Sequence, residues 1–252
     1  AGTRGAQQVA VAAPDAVEPD TDDPCASLAR PAFLRLAGRF AARVALECAV
    51  VRARRAGDAE LAALASLRLA QAITTPGRAR QLRAGVVSVA IQGLDDARGV
   101  GDRALRGELT VRLAEAALDA GSSDTVAIST AIASLDGDPG VRAFAAALQG
   151  RLDLASGNRA GAAAAFQRAV FIEGQRAQPS MMPTWLLLLA EAEPARREAL
   201  TLQAYRALEA TRALIPTLDP VTEESVFSTR MRPVFEAAVA VELAEVGGPR
   251  EQ

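Results

Sequence analysis

The hydrophobic residues from Pro31 onwards recur with the period of an amphipathic α-helix. Glycine, asparagine, aspartate or proline interrupts the period at intervals, where one helix would end and the next begin. The pattern predicts ten helices, near residues 31–55, 58–74, 77–98, 101–119, 124–135, 139–155, 158–174, 182–191, 194–215 and 222–245. Strand-favouring residues are scattered singly among alanines, so the sequence predicts an all-α fold.

The interruptions carry signals for helix ends. A glycine followed by a short polar residue offers a left-handed stop and then a side-chain oxygen for the free amides of the next helix. Four breaks follow this logic: Gly57 with Asp58, Gly121 with Asp124, Asp138 with Pro139, and Gly157 with Asn158. Short loops make consecutive helices antiparallel, and a single helix hairpin cannot bury its apolar face alone. The sequence therefore predicts stacked helix hairpins forming a solenoid.

One segment, residues 143–174, resembles a tetratricopeptide repeat. Five of its residues fall where that family places its close-packing glycine, turn glycine, two small residues and aromatic plug: Gly150, Gly157, Ala162, Ala169 and Phe166. The preceding unit, residues 107–140, is similar at Ala114, Gly121 and Ala133 and has Thr130 in place of the aromatic residue. The resemblance implies a right-handed, tetratricopeptide-like solenoid of about ten helices.

The same resemblance implies a ligand surface, because the first helix of each repeat lines the concave side of such solenoids. In this sequence the corresponding residues are Arg112, Glu115, Asp119, Phe144, Arg151 and Leu154. An arginine can hold a carboxylate through two hydrogen bonds, so a peptide terminus or an acidic segment is the favoured ligand. The other interpretation, a solvated helix face without a ligand, stays open.

Residues 199–243 contain three ordered pieces: AYRALEATRALIP, then DPVTEES with Phe227, then the run from Arg232 to Phe235. They resemble the stretch between the repeats and the caspase-like domain of bacterial CHAT-domain proteins. A helix exit and linker signal from Glu245 to Pro249 follows, and no catalytic residue of that family maps onto this sequence. The resemblance implies the regulatory repeat region of an exported bacterial protein.

Composition excludes several activities. All 28 basic residues are arginines and histidine is absent, so neither a histidine-activated nucleophile nor a histidine-ligated zinc can form. Two cysteines cannot complete a four-thiolate metal site, and no GxxxxGK[ST] phosphate loop occurs. We therefore expect no enzymatic activity, no cofactor and no metal.

Charge and hydropathy bear on the partners. The net charge is −2, and arginines alternate with acidic residues instead of forming a basic stripe, so we expect no nucleic-acid partner. The longest apolar run, residues 185–190, is far shorter than the roughly 20 residues of a membrane span. A protein or peptide ligand, or a second copy of the chain, is the expected partner.

The sequence divides into an acidic, proline-containing tail (1–23), a helical repeat array (24–215), a C-terminal helical segment (216–245) and a linker end (246–252). The first hypothesis is a non-catalytic protein-interaction module. The alternative is a structural, self-assembling subunit whose N-terminal tail joins neighbouring copies.

Six aromatic residues have helical spacing among leucines and alanines, and we expect them in the core. They are Phe166, Phe171, Trp185, Tyr205, Phe227 and Phe235.

Cys25 and Cys48 raise the question of a disulfide. If the first helix begins at Pro31, Cys48 lies about 26 Å along it. The chain from Pro31 back to Cys25 reaches only about 20 Å, so a bridge is barely feasible. A helix start nearer Leu34 or Leu36 would ease the bridge, and a helical turn over residues 25–28 would forbid it. A bridge suits an exported protein, as does the small first residue, and two thiols suit a cytoplasmic one.

Overall fold

A computed structural model describes Cys25 and residues 39–73, 80–135, 138–214, 217 and 225–246. Ten α-helices lie in this part of the chain: α1 (Arg39–Ala56), α2 (Ala59–Ile73), α3 (Arg80–Arg98), α4 (Arg103–Asp119), α5 (Thr125–Ala133), α6 (Pro139–Ala155), α7 (Arg159–Glu173), α8 (Met182–Ala192), α9 (Arg197–Thr211) and α10 (Arg232–Val246). Short 3₁₀ turns flank α9, and a π-helical turn, Phe227–Met231, leads into α10. The prediction of an all-α fold with about ten helices is confirmed.

The helix ends follow the local signals in the sequence. Gly57, Gly121 and Gly157 have φ angles of 70°, 81° and 80°, the left-handed conformation in which glycine is favoured. At four breaks, a side-chain oxygen accepts a hydrogen bond from a backbone N–H of the next helix. The accepting residues are Asp58, Asp124, Asp138 and Asn158. Each accepted hydrogen bond satisfies an amide that the helix itself leaves unpaired.

One predicted helix start differs from the structure, and another is not tested. The described part of α1 begins at Arg39, and the predicted start at residue 31 falls among residues 31–38, which lie outside the described part of the chain. The last helix, predicted from residue 222, begins at Arg232 after the π-helical turn. Pro233 is its second residue, where a missing backbone N–H costs little.

The helices pack in two layers. Each helix from α1 to α4 and from α6 to α9 packs mainly against its neighbours in the sequence. The even-numbered helices also meet one another: α2 contacts α4, α4 contacts α6, and α8 contacts α10. Phe144 of α6 meets Trp185 of α8 edge to face, with ring centroids 5.0 Å apart, which continues this layer. The odd-numbered helices α3 and α5 contact each other on the opposite side.

The α6–α7 hairpin packs as the repeat pattern indicates. A Cβ atom at Gly150 would lie 2.6 Å from the ring of Phe166, so only glycine lets the two helices approach this closely. Phe166, Ala162 and Ala169 have no solvent exposure. In the preceding unit Ala114 is equally buried, whereas Thr130 and Ala133 of the short helix α5 are exposed. That unit lacks an aromatic plug, and α5 packs less of its surface.

The expectation that all six aromatic side chains lie in the core was wrong for three of them. Phe166 and Trp185 are buried and Phe235 is half-buried. Phe171 is 68% exposed, Phe227 55% and Tyr205 36%. Tyr205 of α9 meets Phe235 of α10 edge to face, with ring centroids 5.7 Å apart, and Phe227 meets the same ring, so both are only partly covered. Within the described residues, no helix has both the length and the apolar character to cross a membrane.

A disulfide joins Cys25 to Cys48, with their Cα atoms 5.0 Å apart. Both cysteines are buried. Cys48 lies nine residues after Arg39, about 13 Å along α1. The bridge forms, and the helix start at Pro31 on which the expected obstacle depended falls outside the described residues.

Candidate functional site

The structure brings the predicted surface residues together on the layer of even-numbered helices. Arg112, Glu115 and Asp119 belong to α4, and Phe144, Arg151 and Leu154 belong to α6. These two helices contact each other directly. Their contacts, taken together, form a charged and aromatic arrangement at the middle of the array.

Arg112 is the centre of this arrangement. Its side chain is only 8% exposed, and its Nε donates to Oε1 of Glu108 at 2.9 Å. Its Nη1 approaches Oε2 of Glu115 at 3.5 Å, the outer limit of a hydrogen bond. The guanidinium also lies 4.8 Å from the ring centre of Phe144, a cation–π contact between α4 and α6.

Phe144 extends the arrangement to α8 through its edge-to-face contact with Trp185. Trp185 is 2% exposed, and its indole N–H has no hydrogen-bond acceptor among the described residues. A buried donor without a partner costs free energy, which a carbonyl oxygen at this position would recover. We call Glu108, Arg112, Glu115, Phe144 and Trp185 the central cluster.

Asp119 and Arg151 form a separate ion pair across α4 and α6, with Oδ1 and Nη2 2.5 Å apart. Asp119 remains about half exposed and Arg151 one quarter exposed. Leu154 is half-buried and packs against the main core. Both arginines of the predicted surface therefore have carboxylate partners within the chain.

Burial among the helices raises the pKa of Glu115 above its ordinary value. The positive charges of Arg112, Arg230 and Arg151 act against this rise, and the negative charge of Asp119 adds to it. Arg230 lies in the π-helical turn before α10. Its Nη1 also contacts Sδ of Met181, the residue that precedes α8.

Sequence reasoning did not assign a role to Arg230 or to Glu173. Glu173 is 1% exposed and accepts a hydrogen bond from the backbone N–H of Met181 at 2.9 Å, while Arg176 pairs with the same carboxylate. This buried carboxylate fixes the start of α8. Little in the sequence indicated that Glu173 is buried, because an acidic residue in the last turn of a helix is usually exposed to solvent. Nothing in the local sequence indicates that Arg230 contacts Met181, a residue 49 positions earlier.

A surface pocket of about 410 Å³ lies elsewhere, between the first turns of α4 and α6 and the end of α5. Arg103, Arg106, Ser134 and Asp138 contribute to its lining. Arg106 donates to the carbonyl of Val100, and Asp138 caps α6, so both side chains already have structural roles. The pocket does not include the predicted surface residues.

The described residues contain no group of three or more cysteine or acidic side chains placed to hold a metal ion.

Comparison with known proteins gave no matching family model, no similar curated protein and no similar solved structure. The resemblances to tetratricopeptide repeats and to CHAT-domain proteins therefore rest on the residues quoted above.

Proposed function

We propose that the chain is a non-catalytic protein-interaction module, a right-handed tetratricopeptide-like solenoid whose even-numbered helices form the ligand surface. The observation that carries the proposal is the layer of α2, α4, α6 and α8, joined by helix contacts and by the Phe144–Trp185 ring contact, which carries the partly exposed Asp119–Arg151 pair together with the largely buried central cluster. The close approach of Gly150 to Phe166 supports the repeat architecture. The ligand is a peptide or a segment of a partner protein.

A peptide array tests this function. The full chain is applied to a library of short peptides of varied charge, and binding is compared with that of two charge-reversal variants. Arg151→Glu breaks the Asp119 pair on the proposed surface and should abolish or redirect binding. Arg168→Glu makes the same change at an exposed position of α7, in the other layer, and should bind like the parent chain. Equal loss in both variants, or no selective binding by the parent chain, would refute the proposal.

The proposal extends to the context of the module. The C-terminal pieces that resemble CHAT-domain proteins support a regulatory repeat region of such a protein, in which ligand binding controls a caspase-like domain. The Cys25–Cys48 disulfide fits an oxidising compartment and hence the periplasm or the cell exterior rather than the cytoplasm. Reading the gene beyond Gln252 tests the first point, since a gene without a caspase-like domain would contradict it. Thiol titration of the unreduced, denatured chain tests the second.

Self-assembly is the second candidate function. The helix α10 exposes Val239 (55%) and Leu243 (65%), and Phe227 in the turn before it is 55% exposed; these exposed apolar side chains are the observation that favours association. The tail, residues 1–23, to which we assigned this role, lies outside the described residues. Light scattering of the chain with and without the tail tests the alternative. A mass that halves or falls further on removal of the tail would favour assembly over the interaction module.

A further inference from the structure

The surface pocket of about 410 Å³ lies where three helices meet. The first turns of α4 and α6 and the end of α5 form its walls, and each of these helices contacts the other two. Two of the lining residues are in close contact, since a Cβ atom at Gly107 would lie 3.1 Å from Val141. The pocket is therefore preformed. Its volume lies within the range of about 300–1,000 Å³ that small-molecule sites occupy.

Arg106 brings to this pocket a positive charge that no carboxylate of the described residues pairs with. Its Nη1 donates to the backbone carbonyl of Val100 at 3.0 Å, and the side chain is half-buried. By contrast, Arg112 and Arg151 pair with carboxylates of this chain. A guanidinium has five N–H donors in one plane. The contact with Val100 thus orients Arg106 and leaves further donors for an anion.

The carboxylate of Asp138 also lines the pocket, and other groups stabilise its charge. Its Oδ1 accepts a hydrogen bond from the backbone N–H of Gly140 at 2.7 Å. Oδ1 and the guanidinium carbon of Arg176 both lie within 3.1 Å of the position that a Cβ of Gly140 would take, so they are at most about 6 Å apart. An opposite charge at this distance weakens the repulsion that Asp138 exerts on an anion. With Arg103 and Arg106 against Asp138, the described lining carries a net charge of +1, which suits a monoanion.

The rest of the described lining is apolar or neutral. Ala104, Leu135 and Val141 offer apolar surface. Val141 is buried and Leu135 packs against the main core, so this surface is fixed. The hydroxyl of Ser134 donates to the carbonyl of Ala131 at 2.7 Å, and its oxygen can still accept an N–H. The pocket therefore combines an oriented arginine with apolar surface, and this combination suits a carboxylate that carries a short apolar group.

We propose that this pocket binds a small carboxylate with a short, branched apolar group, that Arg106 holds its charged end, and that the bound acid fixes α5 against α4 and α6. The residues of the proposed interaction surface do not line the pocket, so the inference goes beyond that function and does not depend on it. A free organic acid and the last residue of a peptide both present this group, and their relative affinities distinguish the two sources.

The first experiment titrates the full chain with isovalerate and follows the backbone amide shifts by nuclear magnetic resonance. Isovaleramide, which has the same shape without the charge, is the control. We expect saturable shifts in residues 103–107 and 134–141. The amide should bind about tenfold more weakly or worse, because hydrogen bonds to charged groups contribute at least that much. The absence of saturable shifts, or an equal response to isovaleramide, would overturn the site.

Substitutions locate the ligand. Arg106→Gln removes the charge and should weaken isovalerate binding by about tenfold or more. Arg142→Gln is the matched control, since Arg142 is exposed on α6 and does not line the pocket, and it should bind like the parent chain. Ala104→Leu fills the pocket from an exposed position and keeps both arginines, so it should abolish binding whether or not Arg106→Gln folds. Amide hydrogen exchange of α4 and α6 verifies the fold. Parental affinity in a folded Arg106→Gln or Ala104→Leu variant would refute the assignment.

Acetyl-glycyl-leucine identifies the source of the carboxylate, because it carries the same group behind a peptide N–H that Ser134 can accept. Tighter binding of this dipeptide than of isovalerate assigns a peptide terminus, and the reverse order assigns a free acid; either order supports the site. Bound ligand should slow amide exchange in α5, and unchanged exchange would overturn its effect on that helix. Arg151→Glu should leave isovalerate binding unchanged, so a failure of the peptide array and a failure of this pocket are separate results.

Discussion

Glu115 is a carboxyl group whose surroundings favour its neutral form. Burial is the main cause of its raised pKa, and the nearby positive charges of Arg112, Arg230 and Arg151 compensate only in part. A raised pKa means that the folded chain holds this proton more tightly than the unfolded chain does. The resulting stabilisation is fully present below the unfolded value of about 4.3 and is lost as the pH rises through the folded value.

The substitution Glu115→Gln tests this linkage, because glutamine resembles the protonated acid and has no proton to lose. As the pH rises from about 4 to about 7, the free energy of unfolding should fall in the parent chain through loss of the Glu115 proton. The variant lacks this loss, so its free energy of unfolding should increase relative to that of the parent. Denaturant unfolding at several pH values measures the difference. Since burial is the main cause, the trend should persist in about 1 M salt, where exposed charges are largely screened. A difference that does not change with pH would contradict the assignment.

The residues of the site differ in how far the sequence revealed them. The repeat register placed Arg112, Phe144 and Arg151 on one surface, because residues one repeat apart occupy equivalent positions on adjacent helices. The partners of these residues did not follow from the register. Arg230 contacts Met181 from a turn with a non-α period, and such a turn has no local sequence signal.

At the scale of helices, the α6–α7 hairpin depends on the contact between Gly150 and Phe166. A methyl group at Gly150 would lie 2.6 Å from the Phe166 ring, so Gly150→Ala should destabilise the chain by about 1–3 kcal/mol through overpacking. Gly85 is the matched control, since it lies in α3 with nothing within 4 Å of its virtual Cβ. Gly85→Ala should stabilise the chain by about 0.5–1 kcal/mol, as alanine is the better helix former.

Equilibrium unfolding in urea measures both variants. The double variant Gly150→Ala/Phe166→Leu provides a further control, because a smaller side chain opposite the new methyl group should make the two costs less than additive. A neutral or stabilising Gly150→Ala would mean that the two helices are not held in close contact, and it would remove the main support for the repeat architecture.

Helix boundaries were predictable where a local chemical signal defines them. The turn glycines and the capping residues Asp124, Asp138 and Asn158 act within a few residues of sequence, so they were identified without the structure. The start of α10 was missed because an apolar helical period continues through the π-helical turn. The exposure of Phe171 and Phe227 was missed because periodicity identifies an apolar face but not whether another helix covers it.

At the scale of the whole molecule, the hydrophobic core has two parts. The larger part runs from α2 to α10, and a smaller cluster joins α1, α2 and α3. The disulfide joins Cys25 to Cys48 of α1, the helix that contributes Val50 to this smaller cluster. In a solenoid each hairpin contacts only its neighbours, so stability is a sum of local terms.

Removing the disulfide therefore tests both its stabilising effect and the solenoid architecture. The bridge closes a loop with a sequence separation of 23 residues, and closing a loop of this size stabilises a protein by about 3 kcal/mol. We expect Cys25→Ala/Cys48→Ala, or reduction of the parent chain, to speed amide exchange in α1 and α2. The helices α6 and α7 should keep their protection, because α1 packs mainly against α2. Equal loss of protection in all helices would mean that the chain unfolds as one cooperative domain, and the nearest-neighbour stacking of a solenoid would then not describe it.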